Sequence, residues 1–137
     1  MCKAIIRILS AFGISIIGAA LAQTPGSPAP GTATPLFSKA LADSPGKEGI
    51  VLTVSYPPGG VSPAHRHNAD VFVYVLEGAV VMQVAGGKEM TLSAGQTFYE
   101  SPSDIHSVSR NASATAPAKI LVFAVKAQGA PLTTPVK

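Results

Sequence analysis

The stretch Gly59 to Gly78, GGVSPAHRHNADVFVYVLEG, holds two of the chain's three histidines and runs straight into β-branched and aromatic residues. Val71 to Leu76 has the composition of a strand, which Glu77-Gly78 closes as a turn. His65 and His67 stand two apart at its entry, so a side-chain period of two aims both at one face. The third histidine, His106, lies far along the chain. Imidazole is the commonest protein ligand for a metal at neutral pH, and two on one strand plus one from a neighbouring strand can converge on a single ion. Two exposed loop histidines would show the same spacing, so the frame around them has to decide.

Working outward, apolar runs of similar length recur between turn signals. Ile50, Leu52, Val54 and Tyr56 alternate with Val51, Thr53 and Ser55 until Pro57-Pro58-Gly59-Gly60 stops the run. Val80 to Val84 ends at Gly86-Gly87, and Gln96 to Glu100 follows Ser93-Ala94-Gly95. Ile105 to Ser109 and Lys119 to Val125 complete the set. No window carries helical apolar spacing with a cap, and there is no internal repeat. The pattern predicts an all-β, single-domain antiparallel barrel or jelly roll.

The ends differ from the middle. Lys3 and Arg7 precede the apolar Ile8 to Ala19, and Ala20-Leu21-Ala22 offers small residues before Gln23. Residues 1–22 therefore read as a secretory signal peptide cleaved after Ala22, which predicts a secreted or periplasmic protein. No Arg pair and no cysteine near the cleavage site point to twin-arginine export or a lipid anchor. Residues 23–35, QTPGSPAPGTATP, read as a Pro/Gly/Ala-rich linker, residues 36–126 as the barrel domain, and residues 127–137 as a flexible C-terminal tail. The whole chain carries ten Lys or Arg against seven Asp or Glu, and two of the basic residues fall in the signal segment. With the remainder scattered singly, no nucleic-acid partner is expected, and no membrane association after cleavage. The one cysteine, Cys2, also lies in that segment, so stability rests on a packed core rather than disulfides.

The histidine frame resembles the cupin superfamily. Its first motif is Gly, five residues, HxH, three or four residues, Glu, six residues, Gly; Gly59, His65, His67 and Gly78 fall in register, and Tyr74-Val75-Leu76-Glu77-Gly78 matches the usual ending. Its second motif is matched by the span from Gly95 to His106, although Pro102 and Asn111 sit one place late and Ser103-Asp104 replace a Gly. The sixteen residues between Gly78 and Gly95 suit small microbial members. The resemblance implies a cupin-type jelly-roll barrel, a metal held by His65, His67 and His106, and a small-molecule ligand or substrate. It also implies a range of functions, from dioxygenation, isomerisation or decarboxylation to simple binding, and pairing of two copies as a homodimer.

One position departs from the motif. Its metal-binding Glu would fall at 71 or 72, which hold Val71 and Phe72. Counting by twos from His67 puts Val71 on the ligand face and turns Asp70 away, unless a bulge intervenes. Glu100, which shares parity with Phe98 on the strand leading into the second motif, is the better candidate for a fourth ligand or general base. Three neutral imidazoles would hold Fe, Zn, Mn, Ni or Cu and leave positions open for chemistry. An oxygenase-like enzyme acting on a small phenolic, enolic or carboxylate molecule leads; a non-catalytic metal or small-ligand binding module and a metal-free structural barrel stay open. Tyr74, Gln83 and Tyr99 are expected to point outward, as is Arg66 between the two ligands. Phe72, Phe98, Met82 and Phe123 are expected in the core or pocket lining, and Asn111-Ala112-Ser113 spells a glycosylation acceptor.

Overall fold

Alternation of apolar and polar residues, broken by glycine turns, yields strands throughout. The computed structural model describes Gly26 and residues 28–136, so the expected signal segment lies outside the described residues. Eleven strands and no helix form among them: β1 Thr32–Ala40, β2 Lys47–Tyr56, β3 Val61–Ser62, β4 His65–His67, β5 Ala69–Glu77, β6 Ala79–Val84, β7 Met90–Ser93, β8 Thr97–Glu100, β9 Ile105–Asn111, β10 Ala118–Ala127 and β11 Thr133–Pro135. Accordingly no helix among the described residues is long and apolar enough to cross a membrane. One sheet runs β1-β2-β10-β5-β8 and the other β11-β4-β9-β6-β7, with β3 also on β9. Every pairing is antiparallel, and the two sheets close as a jelly-roll-type barrel.

The core lies between the inner faces. On β5 the buried residues are Ala69, Val71, Val73 and Val75, and on β10 they are Ala118, Ile120, Val122 and Ala124. Each fully buried Val contributes about 1.5–3 kcal/mol relative to exposure. The same period turns Phe72, Tyr74, Tyr99 and Phe123 onto the outer face, where Phe72 is 48% and Phe123 40% exposed. Of the expectation that Phe72 and Phe123 lie in the core or line a pocket, the core half is corrected: β5 and β10 fill the core with valine, isoleucine and alanine, and the two aromatics line a pocket on the outer face, their ring centroids 5.9 Å apart. Met82 is buried, and Phe98 lies half-buried against the core. Gly78 joins β5 to β6 with φ +68°, and a Cβ there would come 2.6 Å from the Pro117 carbonyl oxygen, so the turn requires glycine.

Two segments expected to be irregular are strands. Thr32–Pro35, assigned to the linker, forms the first half of β1, and Thr133–Pro135, assigned to the flexible tail, is β11. Both strands lie at sheet edges, where a proline need not donate to a neighbour, and the ladder beside Pro35 is shifted in register between Pro35 and Phe37. Ala127 likewise belongs to β10 rather than to a tail.

Candidate metal centre

Pairing of β4 with β9 sets His65 directly opposite His106, and the strand period brings His67 to the same face. One ligand atom from each of His65, His67 and His106 lies within 4.8 Å of the other two. His65 Nε2 and His67 Nε2 are 3.0 Å apart. Each of these rings is oriented through its other nitrogen: His65 Nδ1 is 2.8 Å from the Pro63 carbonyl oxygen and His67 Nδ1 is 3.1 Å from that of Leu132. A ring that donates through Nδ1 presents Nε2 as a lone pair, which is the form a metal needs. Burial pushes the His67 imidazole below its usual pKa, with Glu100 and the Leu132 carbonyl pulling the other way, and this also favours the neutral ligand.

Glu100 reaches the site from the opposite sheet. Val71 pairs across the β5–β8 ladder with Glu100, and both face inward. The position the first motif reserves for a carboxylate is thus filled by Val71, and the carboxylate comes from the residue beside it on β8. Glu100 is 2% exposed, with Oε1 3.1 Å from His106 Nδ1 and Oε2 3.8 Å from His67 Nε2. Between β8 and β9 the Ser101 N–H donates to Asp104 Oδ2 at 2.7 Å and the Asp104 N–H to Ser101 O at 3.0 Å, a closed loop across which Glu100 and His106, six positions apart, keep the same parity and are both buried. Phe98 stacks on the His106 ring at a centroid distance of 6.0 Å and fixes its plane.

His106 carries the clearest chemical signal. Among the described residues neither of its buried ring nitrogens has a hydrogen-bond partner, since Glu100 Oε1, 3.1 Å from Nδ1, lacks hydrogen-bonding geometry. An unsatisfied buried imidazole and an enclosed carboxylate each cost free energy unless something outside the chain completes them. A divalent transition ion fits that donor set of three imidazoles with one adjacent carboxylate. Asp70 lies on the other face, accepting from the Tyr99 hydroxyl at 2.7 Å, a bond that raises the Tyr99 pKa. Tyr74 and Tyr99 are exposed, and Gln83 donates to the Gly87 carbonyl across its own turn.

His65, His67, His106 and Glu100 line one end of a cavity of about 550 Å³. Leu52, Val71, Val73, Ile120 and Val122 make its wall largely apolar, while Pro30, Gly31 and Ala33 near the N-terminus and Leu132, Thr133 and Pro135 near the C-terminus also line it. The role of Leu132 escaped the sequence reading because it acts through a backbone carbonyl. Asn111 proves to be a loop anchor rather than a glycosylation acceptor: it is buried, its amide donates to Pro57 O and Ala116 O, and its Oδ1 accepts from the Ser113 N–H.

A small antiparallel barrel with three imidazoles converging inside one mouth is the architecture of a metal-site jelly roll. The family model for the cupin domain matches residues 52–124, and the chain belongs to that family. No curated protein matches. Among solved structures it is similar to TT1209 from Thermus thermophilus, at 26% identity and a TM-score of 0.57 over 71% of this chain and 84% of that one. A protein with a double-stranded β-helix domain from Klebsiella pneumoniae aligns at 15% identity and a TM-score of 0.60, covering 82% and 89%. A recombinant oxalate oxidase in complex with glycolate aligns at 24% identity and a TM-score of 0.58, covering 90% of this chain and 62% of that one.

Proposed function

We propose that this protein is an exported, metal-dependent cupin that acts on a small oxyanion-bearing molecule, with His65, His67 and His106 as ligands and Glu100 beside them. The observation that carries the reading is the buried His106 ring with neither nitrogen partnered, set within ligand distance of two more imidazoles. When bound, the ion supplies Lewis acidity toward an enol, diol or carboxylate and, where it is redox-active, a route for electrons to oxygen. The chain's own residues do the rest. The carbonyls of Pro63 and Leu132 hold two rings in the ligating tautomer, the apolar wall excludes water, and Glu100 either completes the ligand set or takes a proton from the bound molecule. The similar oxalate oxidase was crystallised with glycolate, which favours a small carboxylate as the first compound to try.

The test is oxygen consumption by metal-loaded protein offered catechol-like, enolic and small carboxylate compounds. Turnover that disappears in Glu100→Gln with metal retained assigns the proton role, and loss of the metal assigns the ligand role. Binding without turnover of any compound favours the second reading, a non-catalytic binding module, which has its own support in Val71 standing where the motif has a ligand. Export through residues 1–22 is part of the proposal and is checked by intact mass, which should begin at Gln23. Pairing of two copies belongs to it as well: the exposed Phe72, Tyr74, Tyr99 and Phe123 offer an apolar outer face, and sedimentation reads the outcome.

A further inference from the structure

The cavity has a second polar end. Tyr56 of β2, Ser62 of β3 and Ser109 of β9 line it, with the Tyr56 hydroxyl 2.7 Å from Ser109 Oγ and accepting from Ser62 Oγ at 3.4 Å. Ser109 faces inward because β9 is bulged. Gln83 pairs with Val108 and Val84 with His106, so Ser107 is one residue too many for the ladder. In an unbroken strand, positions 106 and 109 would face opposite sides; the extra residue turns both into the cavity, where both are buried. Ser62 pairs with Ser109 just as His65 pairs with His106. The hydroxyl end therefore lies three residues from the imidazole end on two strands at once, a span of roughly 10 Å at the ordinary strand rise.

The hydroxyls leave one proton over. Three hydroxyls carry three O–H donors, and the two hydrogen bonds among them use two. No other side-chain hydrogen bond among the described residues takes the third. If Tyr56 donates to Ser109, the spare proton is on Ser109; if Ser109 donates, it is on Tyr56. Either way a buried donor at the cavity wall lacks an acceptor among the described residues, and burying it so is costly unless a ligand supplies one.

We propose that the cavity binds an elongated, largely apolar small molecule at both ends, an oxyanion beside His65, His67, His106 and Glu100 and a carbonyl or ether oxygen that accepts the spare hydroxyl proton of the Tyr56–Ser109 pair. The orientation follows from charge: a divalent ion beside one carboxylate leaves that end net positive, whereas the hydroxyl end is neutral and offers a donor. The proposal rests on the metal reading above and adds the ligand's length and its second functional group.

The experiment titrates cobalt(II)-loaded full chain with straight-chain carboxylates of increasing length that carry a ketone next to the terminal methyl, and with the parent carboxylates lacking it. Cobalt absorption reports the carboxylate end and calorimetry the affinity. At one chain length the keto compound should bind about three- to tenfold more tightly than its parent, the worth of one neutral hydrogen bond. The double variant Tyr56→Phe, Ser109→Ala should bring that ratio to one without changing cobalt affinity, whereas Ser62→Ala should keep it. A chain that takes cobalt and carboxylates but shows no keto preference at any length overturns the two-ended site and leaves the metal reading intact, as does a preference that survives the double variant. A chain that takes no cobalt overturns both. Should the double variant not fold, the chain-length dependence of the wild type decides alone.

Discussion

Lys126 and Glu100 are both charged residues buried against the barrel, and their surroundings differ completely. Lys126, 6% exposed, donates to Glu48 and to the Ala130 carbonyl at 2.6 Å, and Glu48 also accepts from the Gly129 N–H at 3.0 Å. Those bonds, Lys126 first, hold the Glu48 carboxyl below its ordinary pKa. Every group in that cluster has its partner within the chain. At the other cluster His106 has no side-chain hydrogen bond among the described residues, and Glu100 lies 3.1 Å from His106 and 3.8 Å from His67 without a hydrogen bond to either ring. The first arrangement is finished by the fold and staples the end of β10 to the turn before β11. Among the described residues nothing completes the second, whose three imidazoles could hold a metal ion, and that sets a candidate metal site apart from a structural ion pair.

The largest expected effect comes from removing an imidazole. His106→Ala should lose at least about 100-fold in affinity for a divalent transition ion, beyond the 10- to 100-fold typical of groups that only support ligands, while the metal-free barrel stays folded; competition titration against a chelator measures it. Next in size is Glu100. As a ligand or its immediate support it should cost roughly 10- to 100-fold in metal affinity when changed to Gln. Glu100→Leu should leave the metal-free chain more stable by roughly 1–3 kcal/mol, because it removes an enclosed carboxylate without a hydrogen bond, and denaturant unfolding with chelator present would show it. If Glu100→Leu instead destabilises the metal-free chain, the two clusters are alike and the comparison breaks.

Lys126→Met should do the opposite, lowering the melting temperature with or without metal. It should also weaken metal binding a few-fold, since the turn it holds leads into Leu132, whose carbonyl orients His67. The pH dependence follows from Glu48, whose folded pKa lies below the unfolded 4.5: its contribution is full above pH 4.5 and is lost as the pH falls from there through the folded value. Lys126→Met should flatten that acid limb in a pH series of thermal melts. Smallest of all is Asp70→Asn, which should leave metal affinity unchanged, because Asp70 bonds Tyr99 on the outer face. Loss of metal there would mean that the strand after His67 is out of its regular period.

The site was more legible in the sequence than its surroundings. A two-residue period from His67 places Val71 inside and Asp70 outside, and shared parity with Phe98 points Glu100 inward; these are local consequences of strand geometry. The same rule places Phe72 outside, on a strand whose inner face is alanine and valine, so it lies outside the core. Pro35 and Pro135 read as breaks because proline disfavours interior strands, and only the sheet order shows that β1 and β11 are edges. The bulge at Ser107 has no residue signature, so the inward Ser109 and the second end of the cavity could come only from the ladder register. The Leu132 carbonyl, a backbone group, left no trace in the sequence either.

The most direct test of the central claim is metal analysis of untagged, full-length protein, paired with thermal melts as Fe, Zn, Mn, Ni and Cu ions are added one at a time. The account predicts close to one divalent ion per chain and a melting temperature that rises with at least one ion in the wild type and stays put in His106→Ala, as binding linkage requires. A protein isolated without metal whose melting temperature no ion raises would contradict it.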